Sequence, residues 1–169
     1  VFNALSQEKT GDFWVNGHMF GSQTCHTAED VHHCDLLFVI GANPWIAHGF
    51  PNARDHLNDI RKDPTRKMIV IDPRRSETAE RADLHLAVRP GTDAFLLGAI
   101  LARLIQRDAV DQAFIEQHTA GYAEVRDALL RIPVEQWADA ADIPIEQIEQ
   151  CIDMIVVAKA MTVRVELGI

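Results

Sequence analysis

The chain has 169 residues, 47% of them hydrophobic and 24% charged, with a formal net charge of −9. That is an ordinary globular composition, long enough for one domain with a real core or one domain plus an appendage. No apolar run approaches the roughly 18 residues a membrane helix needs, and the acidic balance argues against nucleic acid or an anionic membrane as the general partner.

Residues 1–14 show no basic start followed by an apolar core, so no signal peptide is visible. There is no initiator Met, and the chain ends on the strand-like run TVRVELGI; both ends read as cut, and a piece of a longer protein is expected. A cytoplasmic location is the expectation, with a periplasmic one left open by the missing start. Cys25, Cys34 and Cys151 are an odd number at irregular spacing, which suits reduced thiols rather than a disulfide framework.

Taken in chain order, residues 1–34 form a lead-in segment. Leu36 to Ile40 is an apolar run rich in β-formers, predicting a buried parallel strand that stops at Gly41. A helix is expected over 51–63, with Pro51 near its first turn and a narrow apolar stripe of Ala53, Leu57 and Ile60. KMIVIDP at 67–73 reads as a second strand closed by Pro73, and LHLAV at 84–88 as a third. The first crossover should be right-handed, with parallel strands. From Pro90 the chain turns helical. Thr92 is placed to cap a long, largely apolar helix expected to be buried, and shorter helices follow near 110–118 and 121–131. Pro144 opens a helix with apolar residues at 145, 148, 152, 155 and 156, and 161–167 returns as a strand. The fold class expected is α/β, three-layer and Rossmann-like, with a mainly parallel sheet and helices on both faces. The whole of 1–169 is read as one domain, with 35–93 as its ligand edge and 94–169 as its helical half and last strand.

Three strand ends carry polar, turn-forming residues, and in a parallel sheet those ends share one edge, where open α/β sheets bind ligands. In Gly41-Ala42-Asn43-Pro44, the glycine admits close approach and Asn43 can both donate and accept, although these are also the commonest turn residues. Asp72-Pro73-Arg74 offers a carboxylate able to accept from a ribose diol or a guanine edge; a turn with a solvated Arg is the plain alternative. In Arg89-Pro90-Gly91-Thr92-Asp93, the helix start and the Thr92 hydroxyl could receive a polar group, and Asp93 favours a guanine or amine donor over phosphate. Simple helix capping explains the same residues. Residues 66–89 run against the overall charge at +2, with Arg66, Lys67, Arg74, Arg75, Arg81 and Arg89 against Asp72, Glu77, Glu80 and Asp83. The Cys/His stretch from Cys25 to Cys34 contains zinc-type ligands at poor spacing, and a metal-free turn is the better reading. The Walker A and G-x-G-x-x-G patterns are absent.

The stretches 35–51, 68–100 and 114–122, in this order, resemble the molybdopterin oxidoreductase family of formate dehydrogenases, nitrate reductases and dimethyl sulfoxide reductases. The run from Asp72 to Asp93, with Asp-Pro-Arg, Glu77-Thr78-Ala79, Ala82-Asp83 and Pro90-Gly91-Thr92-Asp93, is its specific signature. The resemblance implies a Rossmann-like domain holding part of a bis-molybdopterin guanine dinucleotide with molybdenum or tungsten. It also implies two-electron redox of a small-molecule substrate, an electron-transfer partner for the parent protein, and no nucleic-acid or membrane contact from this segment. Carried over by residue, Gly41, Asn43 and His48 would line the cofactor cleft, and Asp72, Arg74, Gly91, Thr92 and Asp93 would face the guanosine end.

The family commonly has a 4Fe–4S cysteine cluster near its N-terminus; none stands here, so one in the parent would lie outside this chain. Anchoring on Met19-Phe20-Gly21 places Asn16 where the family's metal ligand is expected, and Cys25-His26 is similar to a pair found in formate dehydrogenases. The metal ligand and the catalytic residues stay unassigned, and the fragment alone should be inactive. Two alternatives stand beside this reading. One is the central domain of a thiamine-diphosphate enzyme, which has a similar strand-Gly-x-Asn-Pro pattern. The other is a non-catalytic module with zinc held by the Cys/His stretch.

Overall fold

A computed structural model describes residues 10–23, 25, 28–47 and 49–166. The chain divides into two compact units, Val1–Asp30 and Val31–Ile169. Within the first, helix α1 (Thr10–Phe20) ends where the Gly21 N–H reaches the Gly17 carbonyl. Asn16 lies on this helix, half-buried. His26 and His48 lie outside the described residues.

The second unit is built on strands β1 (Leu36–Ile40), β2 (Lys67–Ile71), β3 (Leu84–Leu86) and β4 (Met161–Val165), in the sheet order β3-β2-β1-β4. Every pairing is parallel, with Leu36 opposite both Lys67 and Met161, and Ile71 opposite Leu86. Helix α2 (Ala53–Lys62) joins β1 to β2. Helices α3 (Asp93–Gln106), α4 (Gln112–His118), α5 (Tyr122–Leu129), α6 (Val134–Ala141) and α7 (Ile145–Val157) separate β3 from β4. The chain leaves β1 toward β2 and returns on the other side to β4. That reversal makes the carboxyl end of β1 a topological switch point.

Side chains alternate across this sheet, so each strand feeds two cores. Leu36, Phe38, Ile40, Ile69, Ile71, Leu84 and Leu86 pack against Leu96 and Ile100 of α3, Ala138 of α6, and Ile148 and Ile152 of α7. On the other face Leu37, Val39, Met68 and Val70 meet Leu57 and Ile60 of α2, together with Ala79. Each fully buried Leu, Ile, Val, Phe or Met among them contributes about 1.5–3 kcal/mol by leaving water. Cys151 belongs to the first core, where burial pushes its thiol up to about 12. Cys25, Cys34 and Cys151 are all free thiols, as their irregular spacing suggests.

The expected strands and the helix over 51–63 appear with small boundary changes. β3 ends two residues early because the Val88 N–H folds back onto the Leu86 carbonyl at 2.9 Å. α3 is only partly buried: Leu96, Ala99, Ile100 and Ala102 face the core, while Phe95 and Leu101 are exposed. β4 is an edge strand whose outer residues Met161, Val163 and Val165 stay partly exposed. Its start is pinned by Asp35, whose carboxylate accepts from the Lys159 and Ala160 N–H groups, each at 2.9 Å. Those backbone donors hold Asp35 below the usual carboxylate range.

Candidate functional site

The registers put the residues after β1, β2 and β3 along one edge. Gly41 takes the left-handed conformation, φ 60°, which favours glycine, and its N–H reaches the Ile71 carbonyl at 2.9 Å. The next carbonyl to turn inward is that of Asn43, which accepts from Ile46 and Ala47 and rounds the loop into a single helical turn.

Side chains then tie this loop to the one after β2. The Asn43 amide donates to Glu77 Oε2 at 2.8 Å, and its oxygen accepts from the Thr78 hydroxyl at 2.7 Å. The same hydroxyl accepts the Trp45 N–H at 3.1 Å, and Thr78 is fully buried. The Arg81 guanidinium lies 3.5 Å from the centre of the Trp45 ring and donates to the Glu77 carbonyl. Arg54 donates to the Trp45 carbonyl at 2.7 Å from the outside. The hydrogen bond from Asn43, helped by the charges of Arg74 and Arg81, holds Glu77 below the usual carboxylate range.

Asp72 opens the second loop. Its N–H reaches the Leu86 carbonyl at 3.2 Å, which binds the ends of β2 and β3 together. One carboxylate oxygen accepts the Arg74 N–H at 2.8 Å in a tight two-residue turn, and His85 Nε2 sits 2.8 Å from the Asp72 carbonyl. The second carboxylate oxygen has no hydrogen-bond partner among the described residues. Arg74 is 68% exposed and only loosely paired with Glu77, at 3.5 Å.

The third turn is different. Thr92 does not cap α3 with its side chain; the hydroxyl donates backwards to the Arg89 carbonyl at 2.6 Å, closing the Pro90-Gly91 turn. Gly91 has φ 80° and open space where a Cβ would point. Asp93 follows, half-buried, in the first turn of α3. Arg89 is held by its N–H to the Ala141 carbonyl, and its guanidinium stands 3.9 Å from Asp142.

Hydrogen bonds thus join the turns after β1 and β2 through Asn43, Glu77 and Thr78, while Gly91, Thr92 and Asp93 form a separate turn that follows β3. A carboxylate with an unpaired oxygen and an exposed guanidinium stand at the end of β2, and an open glycine turn follows β3, on the edge where open α/β sheets bind ligands. Sequence reasoning assigned no role to Thr78 or to the Trp45–Arg81 stack. Their partners lie about three dozen positions away in the chain, so no local spacing signals the contact. Among the described residues there is no group of three or more His, Cys, Asp or Glu able to hold a metal ion. Cys34 is buried in the second core, its thiol against the Val31 carbonyl.

A family model for molybdopterin oxidoreductases matches residues 3–164. The chain is 32% identical over 154 residues to the alpha subunit of F420-dependent formate dehydrogenase 2 from Methanococcus maripaludis, covering 90% of this chain and 22% of that protein. It is 37% identical over 131 residues to nitrate reductase from Synechocystis sp., covering 76% of this chain and 18% of that protein. The fold of acetylene hydratase from Pelobacter acetylenicus superposes with a TM-score of 0.75 at 23% identity, over 91% of this chain and 20% of that one. The chain therefore spans about a fifth of the length of these relatives. The match over 3–164 sets aside the thiamine-diphosphate reading of the Gly-x-Asn-Pro turn. Family model, formate dehydrogenase and nitrate reductase relatives, and parallel sheet agree: this chain belongs to the molybdopterin oxidoreductase family.

Proposed function

We propose that this segment is the part of a molybdenum or tungsten oxidoreductase that holds one guanosine end of a bis-molybdopterin guanine dinucleotide. The observation that carries the reading is the alignment of three polar strand ends at one edge of a parallel sheet, in a chain of this family. When bound, the metal and its dithiolenes supply the two-electron chemistry. The residues here bind and orient. Asp72 accepts from ribose hydroxyls or a guanine edge with its second oxygen. Arg74 supplies an exposed positive charge beside it, and the Gly91 turn lets the ligand approach the backbone. Asp93 favours the amine edge of a guanine. The named relatives act on formate and nitrate, and a small oxyanion of that kind is the substrate class proposed for the whole enzyme. A 4Fe–4S cluster passing electrons to a separate partner, and a cytoplasmic site of action, complete the proposal.

Elemental and nucleotide analysis of the full-length protein, purified without air from a host able to make the cofactor, tests it. Molybdenum or tungsten near one per chain, with about two guanosine nucleotides released on acid treatment, supports the reading. A protein with neither metal nor guanosine overturns it. Iron alongside the metal supports a cluster in the remainder of the protein.

A further inference from the structure

The turn after β1 and the loop after β2 are joined by more than the sheet requires. Parallel neighbours need only their backbone ladder, which ends at the Gly41–Ile71 bond. Beyond it stand two side-chain hydrogen bonds to Asn43, one to the Trp45 N–H, and a cation over an indole. Thr78 is fully buried, so its hydroxyl has no route to a ligand; it donates to Asn43 while accepting from Trp45. Both ends of the Asn43 amide are already engaged within the protein. The Arg81 guanidinium carbon stands 3.5 Å from the centre of the Trp45 ring, and its Nε is buried without a hydrogen-bond partner among the described residues.

We propose that Asn43, Glu77 and Thr78 are positioning residues for the cofactor site: a latch that sets the spacing between the Gly41 turn and the Asp72 carboxylate, with the Trp45–Arg81 stack closing its outer side. The inference rests on the cofactor reading above and changes the part assigned to Asn43, which shapes the cleft through Glu77 and Thr78 instead of touching the ligand. The arrangement has an exchangeable logic. Asn43 supplies one donor to Glu77 and one acceptor to Thr78. An Asp at 43 facing a Gln at 77 rebuilds both bonds with donor and acceptor exchanged across the first. An Asp at 43 facing the native Glu77 sets two carboxylates against each other.

The test uses the full-length protein and reads molybdenum, tungsten and released guanosine per chain, together with the unfolding midpoint of each variant. Asn43→Asp should lower cofactor content about tenfold, the scale of one lost hydrogen bond at a binding site. The double variant Asn43→Asp with Glu77→Gln should recover most of it. Thr78→Ser should stay near wild type and Thr78→Val should fall with Asn43→Asp. A double variant as empty as Asn43→Asp alone, with its unfolding midpoint restored, overturns the proposal, because Asn43 then acts on the ligand directly. Full cofactor in both Asn43→Asp and Thr78→Val also overturns it. A wild type without molybdenum, tungsten or guanosine sinks the underlying reading, and the latch with it. A loaded wild type with insensitive variants sinks the latch alone.

Discussion

The turns after β1 and β2 and the turn after β3 are made from similar residues and have opposite fates. Asn43, Glu77 and Thr78 spend their polar atoms on one another, and Thr78 is wholly buried. Gly91 has nothing within 4 Å of where a Cβ would sit, and the Thr92 side chain is used only to close its own turn. On the proposed reading the Asn43–Glu77–Thr78 linkage is a fixed floor and the third turn an open wall. Residue type alone does not separate a fixed turn from an open one here. What separates them is whether the polar groups already have partners within the protein.

The strongest way to break that distinction is Thr78→Val, which keeps the shape and removes the hydroxyl. The Trp45 N–H and the Asn43 oxygen then lose their partner beside a buried site, and a loss of about 2 kcal/mol is expected in urea unfolding. Thr78→Ser should cost less than about 1 kcal/mol. Gly91→Ala comes next, at about 1 kcal/mol, from the left-handed backbone alone, since no neighbour stands in the way of the methyl group. If the two residues proved equally tolerant, the floor and the wall would be the same kind of structure.

The sequence carried the sheet well and the latch not at all. Leu36–Ile40 and Lys67–Ile71 are legible because strands packed on both faces are continuous apolar runs. Helix α6 lies outside the helices expected from the sequence, although Val134, Trp137, Ala138 and Ala141 fall at helical spacing after Pro133. α1 gives a weaker signal because Gly11 and Gly17 lower its helix propensity. Thr92 looked like a cap, and only its bond to the Arg89 carbonyl shows that it closes the preceding turn instead. The strand-end residues were legible as a set because parallel strands force their carboxyl ends together. The Asn43–Glu77–Thr78 contacts were not, because they join two loops through the tertiary fold and follow no local period.

Acid should loosen the floor before the wall. Glu77 sits below its ordinary value of 4.5 in the folded protein, chiefly through the Asn43 amide. Its contribution to stability is present above that value and is lost as pH falls through the lower, folded one. Glu77→Gln removes the titration. The stability difference between wild type and Glu77→Gln should therefore be largest near neutrality and close below pH 4.5. A difference that stayed constant down to the acid transition would mean that Glu77 is not held by Asn43 in solution. Asp35 and Asp63 are also held low, so the wild type itself should lose stability over the same range.

The smallest effect on stability should accompany a selective effect on binding, at Asp93. This carboxylate sits in the first turn of α3, where a partly exposed charge favours the helix by about a few tenths of a kcal/mol. Asp93→Asn keeps the size and a hydrogen-bonding group and removes the charge, so unfolding should move by less than about 0.5 kcal/mol. If the open turn receives a guanine edge, that same change replaces one of two acceptors with a donor facing a donor. Guanosine retention in the full-length protein should then fall by about tenfold or more while the fold is untouched. The contrast with Thr78 is what matters: a floor residue loses stability and cofactor together, and a wall residue loses cofactor alone. Asp93→Asn with unchanged guanosine content would leave the wall without a ligand and confine the site to Asp72 and Arg74, where a free carboxylate oxygen and an exposed guanidinium remain.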